Sequence, residues 1–290
     1  MKNTLIIGSV LVLITSCIPE PKTKSLTYQN IVILSDMSSR ITNKPQKDLV
    51  KIKEIINFYK NECVKPGKKI GDRSSLSFST FSNKSKIFID IDKFENLAKK
   101  QRFVNSTGEY TNSGLAQKIY NFEKEIISAY AQNSKPGLDL ISVLIEKIEK
   151  ESIIKKNKHL TNGIDTTFIN FENHINIFTD GYLEYKGKSI NDQYYFGIKE
   201  INKIRILCKE KKLSIIEALE LDNSLKLPAA YDNINNNINL HILETHQRDK
   251  NDELQNYNNP KGLRDNEILE EVWRIWAEES GFKSFEWKIY

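Results

Sequence analysis

The chain has 290 residues, 39% of them apolar, which is enough for one well-cored domain carrying insertions. Its formal charge of +5 is spread along the sequence, as at Lys68-Lys69, Lys99-Lys100, Lys155-Lys156 and Lys209 to Lys212, and reads as solvated helix faces and loop tips. There is no zinc-finger spacing, arginine stripe or ribonucleoprotein motif, so the composition points to no nucleic-acid partner.

Met1-Lys2-Asn3 precedes an apolar run from Thr4 to Ile14 and the small residues Thr15-Ser16-Cys17. That order predicts a signal peptide over 1–16, since a membrane-spanning helix needs about 20 apolar residues. Ile14-Thr15-Ser16-Cys17 resembles the bacterial lipobox, which implies a lipid on Cys17, export, and anchorage to a bacterial cell membrane or outer membrane. An ordinary secretory signal with a chance cysteine is the alternative. Residues 17–27 read as a polar, proline-containing tether, and residues 28–290 as the folded domain.

An apolar run from Gln29 to Leu34, without alternation, predicts a central strand covered on both faces. A helix follows with Leu49, Ile52, Ile56, Tyr59 and Cys63 on one face, closed by Pro66-Gly67. Leu76 to Ser82 and Lys86 to Asp90 read as an antiparallel hairpin. Helices are expected over Phe94 to Gln101, Ser113 to Ala131 and Leu138 to Glu151. The stretch from Lys155 to Asn170 reads as irregular, and the strand Ile175 to Phe178 follows it. Beyond a tyrosine-rich loop come helices over Ile198 to Glu210 and Ser214 to Leu221, and a strand from Ile238 to Leu243. Last come a helix capped by Asp265 and ended by Gly281, and an edge strand through Phe285, Trp287 and Ile289. Strands interleaved with helices give an α/β fold: a doubly wound, mostly parallel sheet with helices on both faces and one antiparallel edge strand.

Asp36 and Asp180 each follow an apolar strand, and Ser38 lies two residues beyond Asp36. Oxygen ligands at the carboxyl ends of parallel strands suit a hard cation such as Mg²⁺ or Mn²⁺. Asp36-Met-Ser38-Ser-Arg40, Phe78-Ser-Thr-Phe81-Ser82, Tyr110-Thr111-Asn112 and Ile177-Phe-Thr-Asp180-Gly181, in that order, resemble the motifs of a von Willebrand factor A-type domain. The resemblance covers most of Gln29 to Tyr290. It implies a metal-ion-dependent adhesion site with Asp36, Ser38 and Thr111 as ligands and Asp180 orienting waters. It also implies a non-catalytic module that binds a protein or other acidic-group ligand. The stretch from Thr111 to Asp180 is longer than that family shows, so an inserted helix and loop is expected near 135–170.

Arg40 departs from the pattern, because a guanidinium donates only and cannot replace a hydroxyl ligand. It either points away or pairs with Asp36 or Asp180 in place of a metal. Tyr182 and Tyr185, directly after Asp180, are expected at the partner-binding face. Trp273, Trp276 and Trp287 read as core. His159, His174, His241 and His246 are scattered, His241 and His246 lack the zinc-binding helical spacing and cysteine partners, and all four read as surface or strand residues. A Mg²⁺-dependent phosphohydrolase is the alternative, although Asp36-Met-Ser38 lacks the second carboxylate it requires. A structural lipoprotein without a working site is the other.

Overall fold

Alternate side chains along a strand face opposite sides of a sheet, so a run such as Ile31-Val-Ile-Leu34 can supply two cores at once. Those residues form the middle of β1 (Thr23–Ser35), with Ile31 and Ile33 in one apolar cluster and Val32 and Leu34 in another. The computed structural model describes residues 22–290 except 42–44, 67–72, 83–85, 133–135, 162–163, 186–191 and 252, so Cys17 and the signal segment lie outside the described residues. After β1 come α1 (Gln46–Phe58), β2 (Ser75–Thr80), β3 (Ile87–Asp90), α2 (Leu97–Val104), α3 (Leu115–Tyr130) and α4 (Leu140–Lys150). Then follow β4 (Lys158–Thr161), β5 (Thr166–Phe178), α5 (Ile198–Lys211), α6 (Ile215–Leu221) and β6 (Ile238–Glu244). A two-residue hairpin of β7 (Lys250–Asn251) and β8 (Asn256–Tyr257) precedes α7 (Asp265–Glu279) and β9 (Ser284–Ile289).

The main sheet runs β3-β2-β1-β5-β6-β9, with β4 also on β5. β2, β1, β5, β6 and β9 are parallel, and β3 and β4 run against them. The α/β reading of the sequence therefore holds. From β1 the chain builds outwards to β2 and β3, then returns to β5 and builds the other way, so strand order reverses between β1 and β5. Open α/β sheets form their ligand crevice outside the carboxyl ends of the strands at such a point. α1, α2 and α3 pack on one face of the sheet, and α4 to α7 on the other. No helix among the described residues is long and apolar enough to cross a membrane.

Several elements differ from expectation. Thr23 to Thr27, read as tether, pair in register with Thr166 to Asn170, so β1 and β5 both begin earlier than expected. β4, read as irregular, pairs with the same end of β5. Only Leu26, Tyr28, Ile169 and Phe171 pack together in this extension. With so few apolar side chains buried, the extension displays little hydrophobic periodicity in the sequence. α4 is a layer helix: Leu140, Ile141, Leu144 and Ile148 are buried in the main core, so this part of the expected insertion is built into the fold. Asp265 is the first residue of α7, not its cap, because its carboxylate turns inward to Tyr182 and Arg205. Cys63 and Cys208 are not joined in a disulfide and pack on opposite faces of the sheet.

Candidate functional site

The backbone N–H of Asp36 donates to the carbonyl of Phe178 at 2.9 Å, so the ends of β1 and β5 are tied and their following residues enter one cleft. The cleft has a volume of about 890 Å³, and Asp36, Ser38, Arg40, Asp180, Tyr185 and Arg248 are among its lining residues. Both oxygens of Asp36 are engaged: Oδ1 accepts from the Ser38 N–H at 2.9 Å, and Oδ2 from the hydroxyls of Ser38 at 3.1 Å and Thr179 at 3.3 Å. An aspartate that bonds the backbone two residues on makes a tight Asx turn, which is why Asp suits the first position after the strand.

Arg40 runs beneath this turn with its side chain 1% exposed. Its Nε donates to the Asp36 carbonyl at 3.0 Å, and its Nη2 donates to the Phe178 carbonyl at 2.9 Å and to Asp48 Oδ2 at 2.8 Å. The guanidinium therefore stitches both strand ends to α1, and its Nε lies 3.7 Å from Asp36 Oδ2. Asp48, fully buried, also accepts from Tyr130 at 2.8 Å and from Thr245, while the Tyr130 hydroxyl meets Ser35 Oγ at 2.7 Å. Burial opposes the charge on Arg40, but Asp48 and Asp36 outweigh it and hold the group above its ordinary range. Burial, followed by the Asp48 charge, raises the Tyr130 phenol well above its usual range.

Asp180, 2% exposed, meets a second arginine: Arg248 Nε donates to Oδ2 at 3.1 Å and Nη2 lies 3.0 Å from the same oxygen. Arg248 also donates to Glu184 and lies with its guanidinium carbon 3.8 Å from the centre of the Tyr182 ring. Burial raises the Asp180 carboxyl, Arg248 counters it, and the nearby Asp36 charge adds to it. Gly181 gives the chain its turn at φ +82°, and its carbonyl accepts from Trp273 Nε1 at 2.8 Å.

The expected site residues fall into two groups. Asp36, Ser38, Arg40 and Asp180 converge at the cleft, and Thr111 does not. The Tyr130 hydroxyl, at the carboxyl end of α3, is in the network under the cleft, so the other end of this 16-residue helix lies about 24 Å away. Thr111 precedes that far end, is exposed, and donates to the Gly108 carbonyl at 2.8 Å. Pro136, Gly137 and Leu138, before α4, are among the residues that line the cleft. Tyr182 is buried, with its hydroxyl on Asp265, and backs Arg248, whereas Tyr185 and Tyr195 form an edge-to-face pair along the cleft at 5.5 Å.

These side chains do not fit a Mg²⁺ or Mn²⁺ ligand set. Thr111 is distant, Asp180 is taken by Arg248, and a buried guanidinium lies under Asp36. No group of three or more His, Cys, Asp or Glu among the described residues is placed to hold a metal ion. Sequence reasoning missed Asp48, Thr245 and Arg248. The one available signal was charge or hydroxyl just after strand β6 and in the first turn of α1.

No protein-family model matches the chain, and no curated protein matches it. Among solved structures it is similar to the pilus adhesin SpaC from Lactobacillus rhamnosus GG in its open conformation, at 11% identity and a TM-score of 0.37. That match covers 92% of this chain and 28% of the adhesin, and a likeness so loose carries no functional argument.

Proposed function

We propose that the protein is a non-catalytic binding module of the von Willebrand factor A type. In this reading it is exported, held at the bacterial envelope by a lipid on Cys17, and its switch-point cleft receives an acidic group of a protein partner without a divalent ion. The observation that carries this reading is the arginine beside each cleft aspartate: Arg40 at 3.7 Å from Asp36, and Arg248 at 3.0 Å from Asp180. In a metal-dependent site the ion supplies the positive charge that a partner's carboxylate completes. Here the positive charge at the mouth is Arg248, 44% exposed, with Lys250 lining the same cleft. A guanidinium has five N–H donors in a fork that matches a carboxylate. Asp180 accepts from Nε and Glu184 from Nη1, with Nη2 3.0 Å from the same Asp180 oxygen, so N–H groups of the terminal nitrogens remain beyond these contacts. Binding is favoured over catalysis because both oxygens of Asp36 accept hydrogen bonds from neighbouring groups of the protein itself.

A photo-crosslinking residue at Tyr185 in living cells tests this reading, with the exposed and distant Tyr120 as the control position. Tyr185 should capture a discrete partner, Tyr120 should not, and Arg248→Glu should abolish the capture. Equal capture at both positions would contradict the proposal. So would phosphomonoester hydrolysis by the purified chain that Asp36→Ala removes. Fatty-acid labelling should depend on Cys17, and a Cys17→Ala chain that still labels would remove the anchor.

A further inference from the structure

The sheet face that carries α1 and α3 is covered unevenly. Around β1 and β2 it presents Ile31, Ile33 and Phe78 to the helices, whereas over β5, β6 and β9 it bears His174, His241 and Glu286. A groove of about 400 Å³ lies there, with α1 as one wall and His174 and His241 among its lining residues. His241 is in register with Asn176 on β5 and Glu286 on β9, so His174 is its diagonal neighbour on the same face.

His174 Nδ1 lies 3.1 Å from His241 Nε2, and His241 Nδ1 lies 2.9 Å from Glu286 Oε2. At the other end His174 Nε2 faces Glu172 Oε2 at 4.0 Å, and Gln29 Nε2 donates to that same oxygen at 2.9 Å. The proton positions follow. A carboxylate only accepts, so His241 carries its hydrogen on Nδ1 and its Nε2 is bare. His174 then donates from Nδ1, and its own bare Nε2 faces a carboxylate with no hydrogen between them. Burial, then the neighbouring ring, keeps His174 towards the neutral form, and burial does the same for His241.

We propose that this row is a two-histidine capture site for a divalent ion that prefers imidazole nitrogen, of the Zn²⁺ class. The ion replaces the proton shared by His174 Nδ1 and His241 Nε2. That proton transfers to His174 Nε2, where Glu172 accepts it, so both rings stay neutral and no proton is released. Each ring then has one nitrogen on the ion and the other N–H on a carboxylate, the arrangement that orients metal-binding histidines. Two nitrogens on a tetrahedral zinc are about 3.3 Å apart, close to the 3.1 Å already present. Two positions remain open to water or a ligand. Glu172 and Glu286 favour a cation, while Lys288, bonded to Glu286 at 2.8 Å, and Lys283, acting on His174, keep the affinity modest.

Calorimetric titration of the purified protein with Zn²⁺, with Mg²⁺ as the contrast, tests this site independently of the switch-point cleft. One equivalent of Zn²⁺ should bind and Mg²⁺ should not. His174→Ala or His241→Ala should remove that equivalent, and Glu172→Gln or Glu286→Gln should weaken it about 10- to 100-fold. His159→Ala, His246→Ala and Cys63→Ser should leave it unchanged. Imidazole ¹⁵N spectra should show the His174 proton moving from Nδ1 to Nε2 as zinc is added. Absence of zinc binding, zinc binding that survives both histidine changes, or an unmoved His174 proton would overturn the proposal.

Discussion

Gly181 is held by three constraints at once. Its φ of +82° is in the left-handed region, a Cβ there would lie 2.3 Å from the Trp287 ring, and its carbonyl is bonded to Trp273. Gly181→Ala should therefore destabilise the fold by at least about 1–3 kcal/mol from backbone strain alone, read by denaturant unfolding. A neutral result would mean that the turn after β5 is not held as described. Glu244, at the end of β6, is a second test at this scale. Burial pushes its carboxyl up from 4.5 to about 7, with the Asp180 and Asp249 charges adding and the Trp287 N–H opposing. The folded protein thus holds a proton that the unfolded chain releases near pH 4.5, so stability should fall as pH rises from about 4.5 through 7. At about 1.4 kcal/mol per pK unit the full effect is on the order of 3 kcal/mol. Melting temperatures across that range should show the fall in the wild type and a flatter profile in Glu244→Gln. Identical profiles would contradict the assignment.

At the scale of elements, the direction of α3 decides which end of it can reach the cleft. Its carboxyl end brings Tyr130 to Ser35 and Asp48, and its amino end carries Thr111 away. Tyr130→Phe removes a hydroxyl from a buried network and should cost about 1–3 kcal/mol, while Thr111→Ala should stay within about 0.5 kcal/mol. Denaturant midpoints that reversed this ranking would reverse the orientation of the helix. The strands themselves were legible because Ile31 to Leu34 and Ile175 to Phe178 are apolar runs ending in Asp. Thr111 was misplaced because a local match, a threonine before a helix, says nothing about which end of the sheet that helix starts from. Asp48 and Arg248 were not legible as site residues, since Thr245 lies 197 residues from Asp48 and Asp180 lies 68 residues from Arg248, and the sheet order brings them together.

For the whole molecule, the reversal of strand order between β1 and β5 sets both features. It opens the cleft where two aspartates meet, and it leaves the face over β5, β6 and β9 to polar side chains instead of a helix. The interleaving of strands and helices in the sequence foretold the sheet. It could not foretell that His174 and His241, 67 residues apart, would share a hydrogen bond, because that depends on the register of β5 with β6. The central claim is that the cleft is braced by arginines where a metal-dependent site would use an ion. Calorimetric and thermal-melting titration with Mg²⁺ tests it most directly. Neither heat nor a shift in melting temperature is expected, in the wild type and in Asp36→Ala alike. A saturable rise in melting temperature with Mg²⁺, abolished by Asp36→Ala or Ser38→Ala, would contradict it.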